Sequence, residues 1–323
     1  MFQVNRPFEA AYAGMGTYCK VPLALEPKDL EGADVAIVGA PFDEGVSYRP
    51  GARFGPRAIR QADNFLWSPP SRPHMGLGVD PFAELTVVDY GDAECPPADL
   101  AASHREIKAR VAEILKAGAI PVVLGGDHSL AYPDVTAVAE HFGKGQVGVI
   151  QFDTHTDTAP TEWGGELSHG TPMRRLIDEG HVAGEHFIQI GIHGYFPDPA
   201  DFEWASENGM RWHTRYEIQE RGMKAVMDDV IAAARDFPPA VFVTFDIDVF
   251  DDLHAPGTGS LEPGGLTPRE VFPALNRIFA ELPVVGMDLV EVAPTYDPSG
   301  NTALLAHRCV LESISALALR RRG

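Results

Sequence analysis

Residues 147–157 read Val-Gly-Val-Ile-Gln-Phe-Asp-Thr-His-Thr-Asp. An apolar run too short for a helix breaks at once into five polar residues, three of which are cation-binding types. Short runs that are apolar on consecutive positions suit strands covered on both faces. The same pattern recurs at 35–38, 85–88, 120–124, 187–190, 241–245 and 284–287, which makes seven expected strands. Helical periodicity falls between them. Residues 98–117 place Leu100, Ile107, Val111, Ile114 and Leu115 on one stripe, with Gly118 as a stop. Segments 132–142, 170–180, 219–234, 267–281 and 303–319 read similarly. This alternation predicts an α/β fold with a mostly parallel central sheet between helices. There is no internal repeat, low-complexity tract or linker, so residues 1–323 are expected to form one domain. About 1–33 would be an N-terminal extension packed on it.

The chain carries 26 Lys+Arg against 46 Asp+Glu, a formal net charge of −20. That excess argues against a nucleic-acid binder, which needs a basic face. At 45% hydrophobic and 22% charged residues the composition is globular rather than disordered. No apolar stretch approaches the ~20 residues of a membrane span, and the N-terminus lacks the apolar core of a secretion signal. Cys19, Cys95 and Cys309 are odd in number and far apart, so a disulfide framework is not expected. A cytoplasmic location follows as the expectation.

In open parallel sheets, ligands bind beyond the carboxyl ends of the strands. Four expected strands end in polar clusters. Gly125-Gly126-Asp127-His128-Ser129 follows 120–124, and Asp153-Thr154-His155-Thr156-Asp157 follows 147–152. Asp246-Ile247-Asp248 follows 241–245, and Asp288-Leu289-Val290-Glu291 follows 284–287. On an extended chain, residues two apart share a face. Asp153, His155 and Asp157 would then line one side, and Asp246 with Asp248 another. Converging carboxylates repel unless a cation sits among them. With His128 the set is four Asp and two His, and two divalent ions would balance the four negative charges. Mixed carboxylate and imidazole suits Mn²⁺ and tolerates Co²⁺, Ni²⁺ or Zn²⁺. A lone Asp-x-Asp after a strand is commonly a cap or turn. Three such motifs at three strand exits are hard to explain as three unrelated turns.

With these residues the sequence resembles the ureohydrolase family of arginases, agmatinases and related amidinohydrolases. The match covers Gly125–Ser129, Asp153–Asp157, Asp246–Gly259, Ser168–Pro172, Asp288–Glu291 and the loop Ser47–Pro56. The resemblance implies a three-layer α/β/α arginase-like fold and assembly into homotrimers or homohexamers. It implies two metals, manganese first with Ni²⁺ or Co²⁺ as alternatives. His128, Asp153, Asp157 and Asp246 would serve one, and Asp153, His155, Asp246 and Asp248 the other. His169 matches the proton-shuttling histidine, and Glu291 the glutamate facing the substrate guanidinium. The reaction implied is cleavage of a guanidino compound to urea and an amine.

Ala159 and Gly165-Glu166-Leu167-Ser168 stand where arginases hold an amino-acid head group, so arginine is not the expected substrate. Agmatine, giving putrescine, is the expectation, with 4-guanidinobutyrate or free guanidine as alternatives. An alternative of another class is a non-catalytic oligomeric binding protein. Trp163 and His193, the latter replacing an arginine of many relatives, are candidates for contact with the substrate tail. Thr154 and Asp251-Asp252 are departures that touch no expected ligand.

Overall fold

The computed structural model describes residues 12–62, 73–195 and 198–323. Eight strands form one sheet: β1 Val35–Gly39, β2 Val87–Asp92, β3 Ile120–Leu124, β4 Gly148–Phe152, β5 Phe187–Ile190, β6 Arg211–His213, β7 Val241–Asp246 and β8 Val284–Val290. The order is β2-β1-β3-β8-β7-β4-β5-β6, and every pairing is parallel. The helices are α1 Gly55–Gln61, α2 Pro81–Glu84, α3 Leu100–Lys116, α4 Ala131–Phe142, α5 Pro172–Asp178, α6 Pro199–Glu207, α7 Arg215–Arg221, α8 Met223–Ala234, α9 Pro268–Glu281 and α10 Asn301–Arg322.

Two apolar cores explain why the strands read as unbroken hydrophobic runs. Val35 and Ile37 of β1 face one core, with residues of α8, α9 and α10. Ala36 and Val38 face the other, with residues of α3 and α4. Successive side chains leave a strand on opposite sides, so a sheet covered twice needs apolar residues at both parities. The result is the three-layer α/β/α arrangement.

The expected strand at 85–88 lies two residues further on, and an eighth was missed. Strand β6 is a three-residue edge, Arg211-Trp212-His213, with no apolar run to betray it. The composition of α10 is apolar enough to cross a membrane, but 72% of its most apolar window is buried inside the protein. It is a core helix, lying against α9, α2 and α1. Residues 1–11 of the expected N-terminal extension lie outside the described residues. Further along it, Tyr18 and Cys19 are buried, and the Tyr18 hydroxyl donates to the His307 carbonyl at 2.8 Å.

The sheet order has one consequence for function. The four strands that end in polar motifs, β3, β8, β7 and β4, are the four adjacent central strands. Their carboxyl ends therefore open onto a single place.

Candidate metal centre and active site

The loop after β3 is pinned from several sides. Gly126 N–H donates to the Ala40 carbonyl at 3.0 Å, and a Cβ on Gly126 would meet the Phe42 carbonyl oxygen at 2.1 Å. Only glycine fits there. Asp127 accepts from Ser129 N at 2.9 Å and from Gly45 N at 2.7 Å. Glu291 N donates to the Gly126 carbonyl at 2.8 Å, and His128 N donates to Glu291 Oε1 at 2.9 Å. The exits of β3 and β8 are thus tied together, with His128 between them.

His128 Nδ1 faces three carboxylate oxygens: Asp157 Oδ2 at 2.8 Å, Asp153 Oδ2 at 3.1 Å and Asp246 Oδ2 at 3.2 Å. His155 Nδ1 lies 3.1 Å from Asp248 Oδ2 and 3.5 Å from Asp153 Oδ1. Asp153 therefore presents one oxygen to each group and joins them. Separations near 3 Å suit neighbouring ligands of a cation with bonds of about 2.1 Å. His128 Nε2 lies 2.8 Å from Thr244 Oγ1, which orients the ring and leaves a fully buried Nδ1 without a hydrogen-bond partner. An orphaned nitrogen facing three carboxylates is what a metal-ligating imidazole looks like before its ion is added. The residues fit two divalent cations sharing Asp153.

The structure corrects how these side chains converge. The chain is not extended beyond β4: Asp157 has φ 52°, and that turn carries it to the His128 side while His155 reaches Asp248. Nor is it extended beyond β7, where Asp246 caps a short turn of helix by accepting from Asp248 N at 2.9 Å. That hydrogen bond aims Asp246 Oδ1, while Oδ2 lies 3.2 Å from His128 Nδ1. Thr154, one of the departures, ties the second and third motifs together, its hydroxyl donating to the Asp248 carbonyl at 2.8 Å. Asp251 accepts from Leu253 N and Gly264 N and closes a turn away from the ligands.

The crowding governs protonation. Burial pulls the His128 imidazole down, but Asp153, Asp157 and Asp246 reverse this and leave it well above its ordinary range. His155 is likewise opposed by burial and raised by Asp248 and Asp153. Burial and then Asp153 push Asp157 up to about 6, and burial with Asp248 and Asp153 holds Asp246 well above the usual carboxylate range. A metal must displace these protons. Loading is therefore expected to release protons, and affinity should rise with pH as the raised groups give them up. Calorimetry in two buffers of different ionisation enthalpy measures the release, and an identical heat in both would contradict it.

Glu291, with φ 65°, turns its carboxylate inward at the end of β8. Its Oε1 lies 3.1 Å from His169 Nδ1, while Oε2 is buried with no partner among the described residues. Both residues line a cavity of about 620 Å³ with Asp157, Asp246, Asp248 and His155 on its floor. Farther out, the wall includes Arg49, Asp198, Asp201 and Glu262. None of these outer residues was anticipated, and neither was Glu162. Asp198 sits where α6 begins, and the other outer residues lie in loops or a helix without strand-end spacing to mark them.

Two expected substrate contacts lie elsewhere. Trp163 is 92% exposed at a loop tip, outside the cavity lining, because it occupies the outer corner of a tight turn closed by Glu162 and Gly165. His193 is buried behind the wall. Its Nδ1 is 2.8 Å from the Gly191 carbonyl and its Nε2 3.0 Å from the Glu262 carbonyl, so the ring braces the wall rather than facing the cavity.

A parallel three-layer sheet whose central exits carry this His/Asp cluster defines a class of metal-dependent hydrolases acting on amidine C–N bonds, and the chain belongs to it: the arginase family model matches residues 33–315. Within the family it is a guanidino hydrolase. It is 40% identical over 312 residues to the mitochondrial agmatinase of Gallus gallus, covering 96% of this chain and 88% of that one. It is 38% identical over 310 residues to the mitochondrial guanidino acid hydrolase of Homo sapiens, covering 96% and 85%. A similar solved structure is the proclavaminate amidino hydrolase of Streptomyces clavuligerus, at TM-score 0.88 and 36% identity, covering 97% and 100%.

Proposed function

We propose that the enzyme hydrolyses agmatine to urea and putrescine with two manganese ions. His128, Asp153, Asp157 and Asp246 would hold one ion, and Asp153, His155, Asp246 and Asp248 the other. Nickel or cobalt is the alternative on the same donor set. Such a pair supplies a nucleophile from water at neutral pH and stabilises the negative charge that develops during attack. Glu291 presents its unpartnered Oε2 to the cationic guanidinium and orients it by charge-assisted hydrogen bonds. His169, beside Glu291, delivers the proton without which the amine is a poor leaving group.

The observation behind agmatine is the outer wall, where Asp198, Asp201 and Glu262 line the cavity beyond the metal ligands. A second cationic group at the far end of the substrate suits that wall. One observation favours another reading. Arg49 is the only Lys or Arg among the described lining residues, and it stacks near the rings of Tyr48 and Tyr296 at 5.6 and 5.0 Å without an ion pair to any described residue. A guanidinium placed there could take the carboxylate of 4-guanidinobutyrate, in keeping with the guanidino acid hydrolase similarity.

A panel of agmatine, 4-guanidinobutyrate, 3-guanidinopropionate and guanidine, assayed for urea after loading with Mn²⁺ or Ni²⁺, decides between them. The expected result is the highest kcat/KM for agmatine, little changed in Arg49→Ala. Preference for a guanidino acid, lost in Arg49→Ala through a KM raised roughly tenfold or more, would overturn it in favour of the second reading.

A further inference from the structure

His169 is held from both sides. Its inner nitrogen, Nδ1, meets Glu291. Its outer nitrogen, Nε2, lies 2.8 Å from Ser47 Oγ, accepts from Ser47 N at 3.1 Å and sits 3.7 Å from Glu162 Oε1. Glu162 is itself placed with care. Gly170 N, on the residue next to His169, donates to its Oε2 at 3.3 Å. Its backbone pairs with Gly165 in both directions, at 2.9 and 2.8 Å, across a turn in which Trp163 takes φ 50° and Gly164 φ 82°. The turn that throws Trp163 outward thus fixes the carboxylate of Glu162 against the ring.

These partners match the two charge states of an imidazole. A neutral ring can donate from Nδ1 to Glu291 while Nε2 accepts from Ser47 N. A cationic ring needs an acceptor on both sides, and Glu162 with the Ser47 hydroxyl provides the outer one. We propose that Glu162 is a positioning residue that keeps His169 protonated on its outer nitrogen, so that the ring carries a proton when the amine departs. Glu162 has no part in the mechanism above, and its use in turnover rests on His169 being the proton donor.

The titratable groups facing His169 are Glu291 from the end of β8, Glu162 from the loop before the ring, Asp157 from the exit of β4 and Asp127 from the exit of β3. Only Glu162 stands on the outer side, with its side chain 25% exposed and reachable from solvent through the cavity. Burial works against charge at both partners. Even so, Glu162 and Glu291 hold His169 up to about 11, and His169 holds Glu162 down to about 2. A histidine raised in this way keeps its proton through neutral pH and loses it only on the alkaline side.

Glu162→Gln removes the outer charge with little change of shape. In the metal-loaded variant the alkaline limb of kcat is expected to move to lower pH by about one unit, with roughly tenfold less rate beyond the limb. KM should change little, and Glu162→Asp should restore part of the shift. A purely structural role would scale the profile at every pH without moving the limb. A second measurement follows the His169 ring by nitrogen NMR in zinc-loaded protein, where its pKa should fall in Glu162→Gln. An unmoved ring titration overturns the inference. A moved ring with an unmoved rate limb supports the hold of Glu162 on the ring and overturns instead the assignment of His169 as donor.

Discussion

Asp153→Asn is expected to abolish urea release, by about 10³-fold or more, which is some 4 kcal/mol of barrier. It is also expected to cost the protein both metals. The size of the effect comes from position. Asp153 has an oxygen in each half of the centre, Oδ2 toward His128 and Oδ1 toward His155. Each oxygen is also aimed by a donor: Gln151 Nε2 donates to Oδ2 at 2.7 Å and His155 N donates to Oδ1 at 2.6 Å. Gln151 is itself held by Gln189 Nε2, which donates to its Oε1 at 2.8 Å. An asparagine amide would set an N–H against one of these N–H groups in a buried site, where unmatched donors are costly. Folding should survive at reduced stability, because the sheet and both apolar cores are untouched. Metal per chain, measured by elemental analysis, should fall below one. The rise in Tm on adding Mn²⁺ to stripped protein should vanish, while the stripped variant still unfolds cooperatively at a Tm below that of the stripped parent. Two tightly bound ions and full turnover in the variant would sink the assignment.

The second large effect is expected from Glu291→Gln, with a contrasting signature. Here kcat/KM should fall by about 10²–10³, or roughly 3–4 kcal/mol, while both metals stay bound. The amide oxygen can still accept from His128 N in place of Oε1. The NH₂ group then stands where the unpartnered Oε2 faces the cavity and turns a donor toward a guanidinium that has only donors. Loss of activity with metal retained separates a substrate-orienting carboxylate from a ligand. If metal is lost as well, Glu291 acts through the His128 loop and not on the substrate. Its left-handed backbone is consistent with a residue held under local strain for its function.

The difference between these two residues marks what could be read in the chain and what could not. The strand exits were legible because each apolar run ends abruptly in acid and imidazole. The central parallel sheet was legible because runs such as Ile120–Leu124 and Val241–Phe245 are apolar at both parities. The edge strand Arg211–His213 was not, since half-buried edges need no apolar run. Spacing singled out six candidate ligands, and the fold brings them together, yet the extended geometry assumed for them was wrong. Asp157 arrives through a left-handed turn, a backbone choice that the residues Thr156-Asp157-Thr158 do not announce. Thr244 and Gln151 act through hydrogen bonds to residues 116 and 38 positions away, and Glu162 through an ion pair across a turn. No local pattern encodes such contacts. His193 and Trp163 were singled out for their places near motifs, and nearness in sequence did not carry their side chains into the cavity.

The sheet order described above divides inheritance within the molecule. All six candidate ligand side chains issue from the exits of β3, β4 and β7, whereas Arg49, Asp198 and Asp201 of the cavity wall follow β1 and β5, whose exits hold none of them. On the proposed reading, chemistry and part of the choice of substrate are therefore written on separable parts of the chain. Exchange of those segments between relatives can redirect such an enzyme toward a longer, shorter or oppositely charged guanidino compound while leaving the hydrolytic centre as it was.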